Sequence, residues 1–109
     1  MDSKDLERLR QRGAIDRLSN GQDGVRVTLM WTSRLSDPSL SARRDLLLQK
    51  FECTAKDILA DGAEVDLNSI SISAQTVEAV LPIDNYDYLT DKLKQQDIRV
   101  DPLTNERLI

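Results

Sequence analysis

Between residues 25 and 31 the chain reads Val-Arg-Val-Thr-Leu-Met-Trp. Val25, Val27, Leu29 and Trp31 alternate with Arg26, Thr28 and Met30. A two-residue period of β-branched and aromatic side chains predicts a strand buried on one face. Any fold of this chain must therefore supply a layer to cover that face. The segments that follow provide it: a long helical pattern, two more alternating segments, a short helical pattern and a last alternation.

The long helix is expected over residues 38–61, with Asp37 as its N-cap, Pro38 at its first position and Gly62 as its stop. Leu40, Leu47, Leu48, Phe51, Ala55, Ile58 and Leu59 form its apolar stripe. Such a helix is longer than a seven-residue strand, so its N-terminal end should overhang the sheet. Val65, Leu67, Ile70, Ile72 and Ala74, interleaved with serines, predict a second strand, and Gln75-Thr76 a hairpin turn. Val77, Ala79, Leu81 and Ile83 predict a third strand, with Glu78 and Val80 on its other face. Asp84 caps a helix to Gln96, with Tyr86, Leu89 and Leu93 inward. Ile98 and Val100 form a short last strand ended by Pro102.

Before this unit, residues 3–19 predict a helix capped by Ser3, with Leu6, Leu9, Ile15 and Leu18 as a narrow apolar stripe and Gly13 weakening its middle. Asn20 to Gly24 reads as a connecting turn. The expectation is thus an N-terminal helix over 1–19 and one α/β domain over 24–109. A β-α-β-β-α-β order is that of a ferredoxin-like sandwich: a four-stranded antiparallel sheet with two helices on one face. Its first and third strands are central, which suits the two most apolar segments, while serines and Pro102 suit edges. The other sheet face would carry Arg26, Thr28, Met30, Ser71, Ser73, Glu78, Val80, Arg99 and Asp101. Either the N-terminal helix or a second copy is expected to cover it.

The residue inventory excludes much chemistry. There is no histidine, so the commonest general base and metal ligand are missing. The lone cysteine, Cys53, has no activating partner and allows no internal disulfide, which fits a cytoplasmic protein. Asp84, Asp87 and Asp91 line one side of the second helix and read as cap and solvated surface. No cofactor or metal site is expected, and no enzymatic activity. The net charge of −4 opposes binding to nucleic acid or anionic membranes. Residues 1–19 are charged and lack the apolar run of a signal peptide.

Known families of this arrangement test the same positions. RNA-recognition motifs need aromatics on the central strands, where this chain has Arg26, Thr28, Met30, Glu78 and Val80. Heavy-metal domains need Cys-x-x-Cys, and acylphosphatase-like enzymes a glycine-rich loop where Thr32 to Ser36 has no glycine. Nothing opposes ligand binding between paired copies, as in amino-acid-sensing regulatory domains of the ACT type. The segment from Thr76 to Pro102, about a quarter of the chain, resembles in pattern the second half of a subtilisin-type propeptide. That resemblance implies an inhibitory tail running from Asp101 to Ile109.

The reading is a non-catalytic protein-interaction or regulatory module that self-associates as a homo-oligomer, with Leu6, Leu9, Met30 and Trp31 as the interface. A protease inhibitor or propeptide-like chaperone using the C-terminal tail is one alternative. A small-ligand sensing domain is another.

Overall fold

The computed structural model describes residues 1–36 and 39–103, and it first departs from the expected order at Gly13. The N-terminal helix α1 spans only Ser3–Gln11. Asp2, rather than Ser3, is its N-cap, accepting from the Lys4 amide at 3.1 Å. Gly13 has φ +74, its N–H donates to the Arg10 carbonyl, and the Ala14 N–H donates to the Leu9 carbonyl. These two bonds close a helix C-terminus whose second residue past the last turn must be left-handed, the role glycine fills at least cost. Gly13 is therefore a stop, and the expected helix over 3–19 divides there.

Released from the helix, Ile15–Arg17 becomes strand β1. The remaining elements are β2 (Asp23–Trp31), α2 (Leu40–Leu59), β3 (Glu64–Ser71), β4 (Thr76–Pro82), α3 (Tyr86–Lys94) and β5 (Ile98–Pro102). A single 3-10 turn, Ile83–Asn85, precedes α3, so Asp84 lies in that turn instead of capping the helix. The sheet is antiparallel and has five strands, not four. β4 and β2 are central, as the apolar patterns require, and β3 is one edge. The other edge is shared: β1 pairs with residues 23–25 of β2, and β5 with residues 27–31.

Every second residue of β2 and β4 enters the core. Val25, Val27, Leu29, Val77, Ala79 and Leu81 pack in one cluster with Leu47, Phe51 and Ile58 of α2, Leu89 and Leu93 of α3, and Ile98. Both helices therefore cover the same sheet face. Thr54 completes the α2 stripe because its hydroxyl donates to the Lys50 carbonyl at 2.9 Å, which removes the cost of burying it. Leu40, Leu48 and Leu59, expected in that stripe, are exposed. Leu40 (61% exposed) lies two turns before Leu47 on the same side of α2, but burial in this helix begins only at Leu47. Ser39 caps α2 by accepting from the Ala42 amide; the expected roles of Asp37 and Pro38 lie outside the described residues. Gly62 (φ +89) stops α2 with the same pair of bonds that Gly13 makes.

The hairpin between β3 and β4 is longer than Gln75-Thr76. Its last residue, Gln75, has φ +57. The Gln75 side-chain amide donates to the carbonyls of Trp31 and Ser33, each at 2.8 Å, and its own carbonyl accepts from the Trp31 amide. This turn thus fastens the end of β2. Replacing Gln75 by Ala strips two half-buried acceptors and keeps the unfavourable φ. We expect Gln75→Ala to cost about 2 kcal/mol, read as a lower urea midpoint at unchanged slope. A midpoint equal to that of the wild type would refute the fastening role.

Candidate functional site

The sheet face opposite the helices is built of crosswise rows, one residue per strand. One row runs Asp66, Glu78, Thr28, Asp101. On one side of it lies Glu64, Val80, Arg26, and on the other Ser71, Thr76, Met30, Arg99. α1 does not cover these rows: its Met1 and Leu9 pack against the core cluster on the helical side. Met30, Val80 and Thr28 are half-buried with no helix over them.

One end of the face is closed by the chain between β1 and β2. Leu18 is 3% exposed yet lies outside the main core cluster. It sits on Gly24, where a Cβ would stand 3.3 Å from Leu18 Cγ and only 2.5 Å from Val80 Cγ1. Only a glycine lets Leu18 and Val80 meet over β2. Beyond Leu18 the strap reaches the opposite edge of the sheet. The Ser19 amide and hydroxyl donate to the two carboxylate oxygens of Glu64 on β3, at 2.8 and 2.9 Å. Gly21 (φ +88) and the Asn20 side chain, which accepts from the Gln22 amide, shape the turn back.

Arg26 anchors the other side. Its N–H donates to the Ala14 carbonyl and its C=O accepts from the Leu103 amide, so β1 and β5 meet end to end at this residue. Its guanidinium donates to the Gly13 carbonyl at 3.1 Å. Between strap and anchor lies a concavity of about 410 Å³, lined by Asp16, Glu64, Asp66, Glu78, Val80 and Leu103 with Arg26. Asp66 accepts from the Asn68 amide, and Ser69 from the Glu78 amide, where β3 bulges away from β4. The bulge distorts the edge strand β3, a device that opposes strand addition.

The four residues expected at an interface do not converge. Met30 lies on the open face. Trp31 points to the helical side at the end of β2, half-buried against the core, with the Lys50 ammonium 5.5 Å above its ring. Leu9 packs inward, and Leu6 lines a cleft with Pro82 and Ile83. Asp101, the expected start of a free tail, is inside β5, and residues 104–109 lie outside the described residues. Cys53 is exposed on α2. Asp87 of the acidic stripe accepts from the Met1 amine, and that pairing holds the amine's pKa above its usual value.

A larger groove of about 610 Å³ runs between α1 and α3, lined by Met1, Asp5, Arg8, Leu9, Tyr86 and Pro102. Burial, with the nearby charges of Asp87 and Asp101, pushes the Tyr86 phenol up from its ordinary pKa. Among the described residues no three His, Cys, Asp or Glu side chains are grouped to hold a metal ion, and no helix is long and apolar enough to cross a membrane. Comparison with protein-family models, curated proteins and solved structures finds no match to this chain.

The strap is testable through Gly24. Gly24→Ala should destabilise the protein by about 2 kcal/mol through overpacking. Val80→Ala made in the same chain should relieve part of that loss, giving a coupling of about 1 kcal/mol in a double-mutant cycle. Additive losses would mean that Leu18 and Val80 do not meet over Gly24.

Proposed function

We propose that this chain is a non-catalytic protein-interaction domain on a ferredoxin-like plan, and that it binds through its open sheet face. The order β5-β2-β4-β3, with α2 and α3 on one side, supports the plan, with β1 and α1 as additions. The observation that carries the function is a sheet face that no other described element covers. Sheets with one solvated face usually make it uniformly polar. Here Val80 and Met30 stand half-buried on either side of the row Asp66, Glu78, Thr28, Asp101, so the face offers apolar contacts beside charges that a partner can pair. Self-association is one form of this reading, in which a second copy supplies the cover.

Met30→Asp tests the face without entering the core. The variant should unfold within a few degrees of the wild type, because Met30 is outside the core cluster. It should also lose the concentration-dependent mass above 12.3 kDa that light scattering would record for a self-associating wild type. A wild type that stays at 12.3 kDa up to millimolar concentration removes the homotypic form.

A small-ligand sensor is the second reading, and the α1–α3 groove favours it because its volume falls in the range of ligand pockets. It requires a metabolite that raises the melting temperature of the wild type and not of a Tyr86→Ala variant.

A further inference from the structure

We propose that the open sheet face docks a basic segment of a partner protein, one that sets lysine or arginine side chains around an apolar residue. The inference rests on the protein-interaction reading and names the chemistry of the occupant. Asp16, Glu64, Asp66 and Glu78 line one concavity around Val80, with Arg26 as the single cation among the described residues that line it. Arg26 already donates to the Gly13 carbonyl, and on the same face Arg99 is paired with Asp101 at 2.8 Å. The remaining carboxylates leave the face acidic, and the chain's net charge of −4 does not offset them elsewhere.

The decisive feature is that Asp66 and Glu78 stand directly opposite each other on β3 and β4. Like charges in that position destabilise a sheet. Asp66 uses one oxygen to accept from Asn68, and among the described residues the Glu78 carboxylate has no hydrogen-bond or ion-pair partner. An ammonium or guanidinium group laid over the pair relieves the repulsion and gains two charge-assisted bonds. An apolar residue beside it rests on Val80, in the next row. A second copy is a poorer occupant, because stacking two such faces brings carboxylates against carboxylates. Nucleic acid is repelled by the same charges.

The test uses the full chain, uniformly labelled with nitrogen-15, and two synthetic ten-residue peptides. One has lysines flanking a central leucine; the other has glutamates in place of the lysines. The lysine peptide should shift the amides of Thr28, Met30, Glu78, Val80 and Asp101 saturably, and the glutamate peptide should not. Affinity should fall roughly tenfold between 50 and 500 mM salt as the Debye length shortens. It should fall by a similar factor in the Asp66→Asn, Glu78→Gln double variant. The free double variant should melt no lower than the wild type, because removing a repelling pair costs the fold nothing. A residue that served only the fold would instead lower the melting temperature when changed.

No shift at millimolar peptide, or shifts centred on α2 and α3, would overturn the proposal. If that happens while Met30→Asp still abolishes self-association, the basic occupant fails and the interaction reading survives. If both experiments are negative, the basic occupant and the homotypic form both fail.

Discussion

Both edges of β2 are hydrogen-bonded along its length, and one of them is divided between two strands. β4 takes one side from Gly24 to Met30, while β1 and β5 share the other and change over at Arg26. The change-over dictates much around it. β1 occupies the continuation along β2 past Val27, so β5 pairs with β2 only as far as Pro102. Because β1 follows α1 with only a three-residue connection, α1 is held at the end of the helical layer near Tyr86 and cannot reach the opposite face. The open face is thus a consequence of pairing geometry as well as of sequence polarity.

The two-residue alternation in β2 and β4 was enough to place those strands at the centre, because a strand buried on one face in mid-sheet tolerates little else. The stop at Gly62 was equally legible, since it follows a long apolar period. The stop at Gly13 uses the same backbone bonds and was missed. There the apolar stripe is sparse, so Leu6, Leu9, Ile15 and Leu18 read as one imperfect helix. The available signal was the clustering of Arg8, Arg10 and Arg12 just before the glycine, which suits the negative end of a helix. Helix α2 shows a different limit. Periodicity identified Leu47, Phe51 and Ile58 but not the exposure of Leu40, which depends on where the sheet ends in space. Nor could it find Thr54, which is inside because it bonds to its own helix.

The candidate site was legible only in part. The polar residues of β2 and β4 were readable from alternation alone. The closure at one end was not, because it joins residues from three separate segments: Leu18, Gly24 and Glu64. A glycine inside an alternating strand does signal close approach of another chain segment, and Gly24 directly precedes the strongest strand in the sequence. Placed in the turn instead, it lost that meaning. Leu18 likewise read as the last apolar residue of a helix, when its burial depends on the space left by the missing side chain at Gly24.

The charges on the face bear on what the domain can bind. Burying Met30 and Val80 under a partner favours association by roughly 25 cal/mol per Å² of apolar surface, whoever the partner is. That term does not discriminate. The carboxylates do, because an unpaired charge enclosed in an interface costs far more than an apolar contact gains. The facing Asp66 and Glu78 therefore act less as a source of affinity than as a filter. A neutral or acidic partner must leave them desolvated and repelling, and a basic one must not. The same filter opposes a second copy stacked face to face. The extra strand, the strap over Gly24 and the like-charge pair are in this way connected: the first two leave one face of the sheet free of the molecule's own helices, and on the proposed reading the third sets which partners that face accepts.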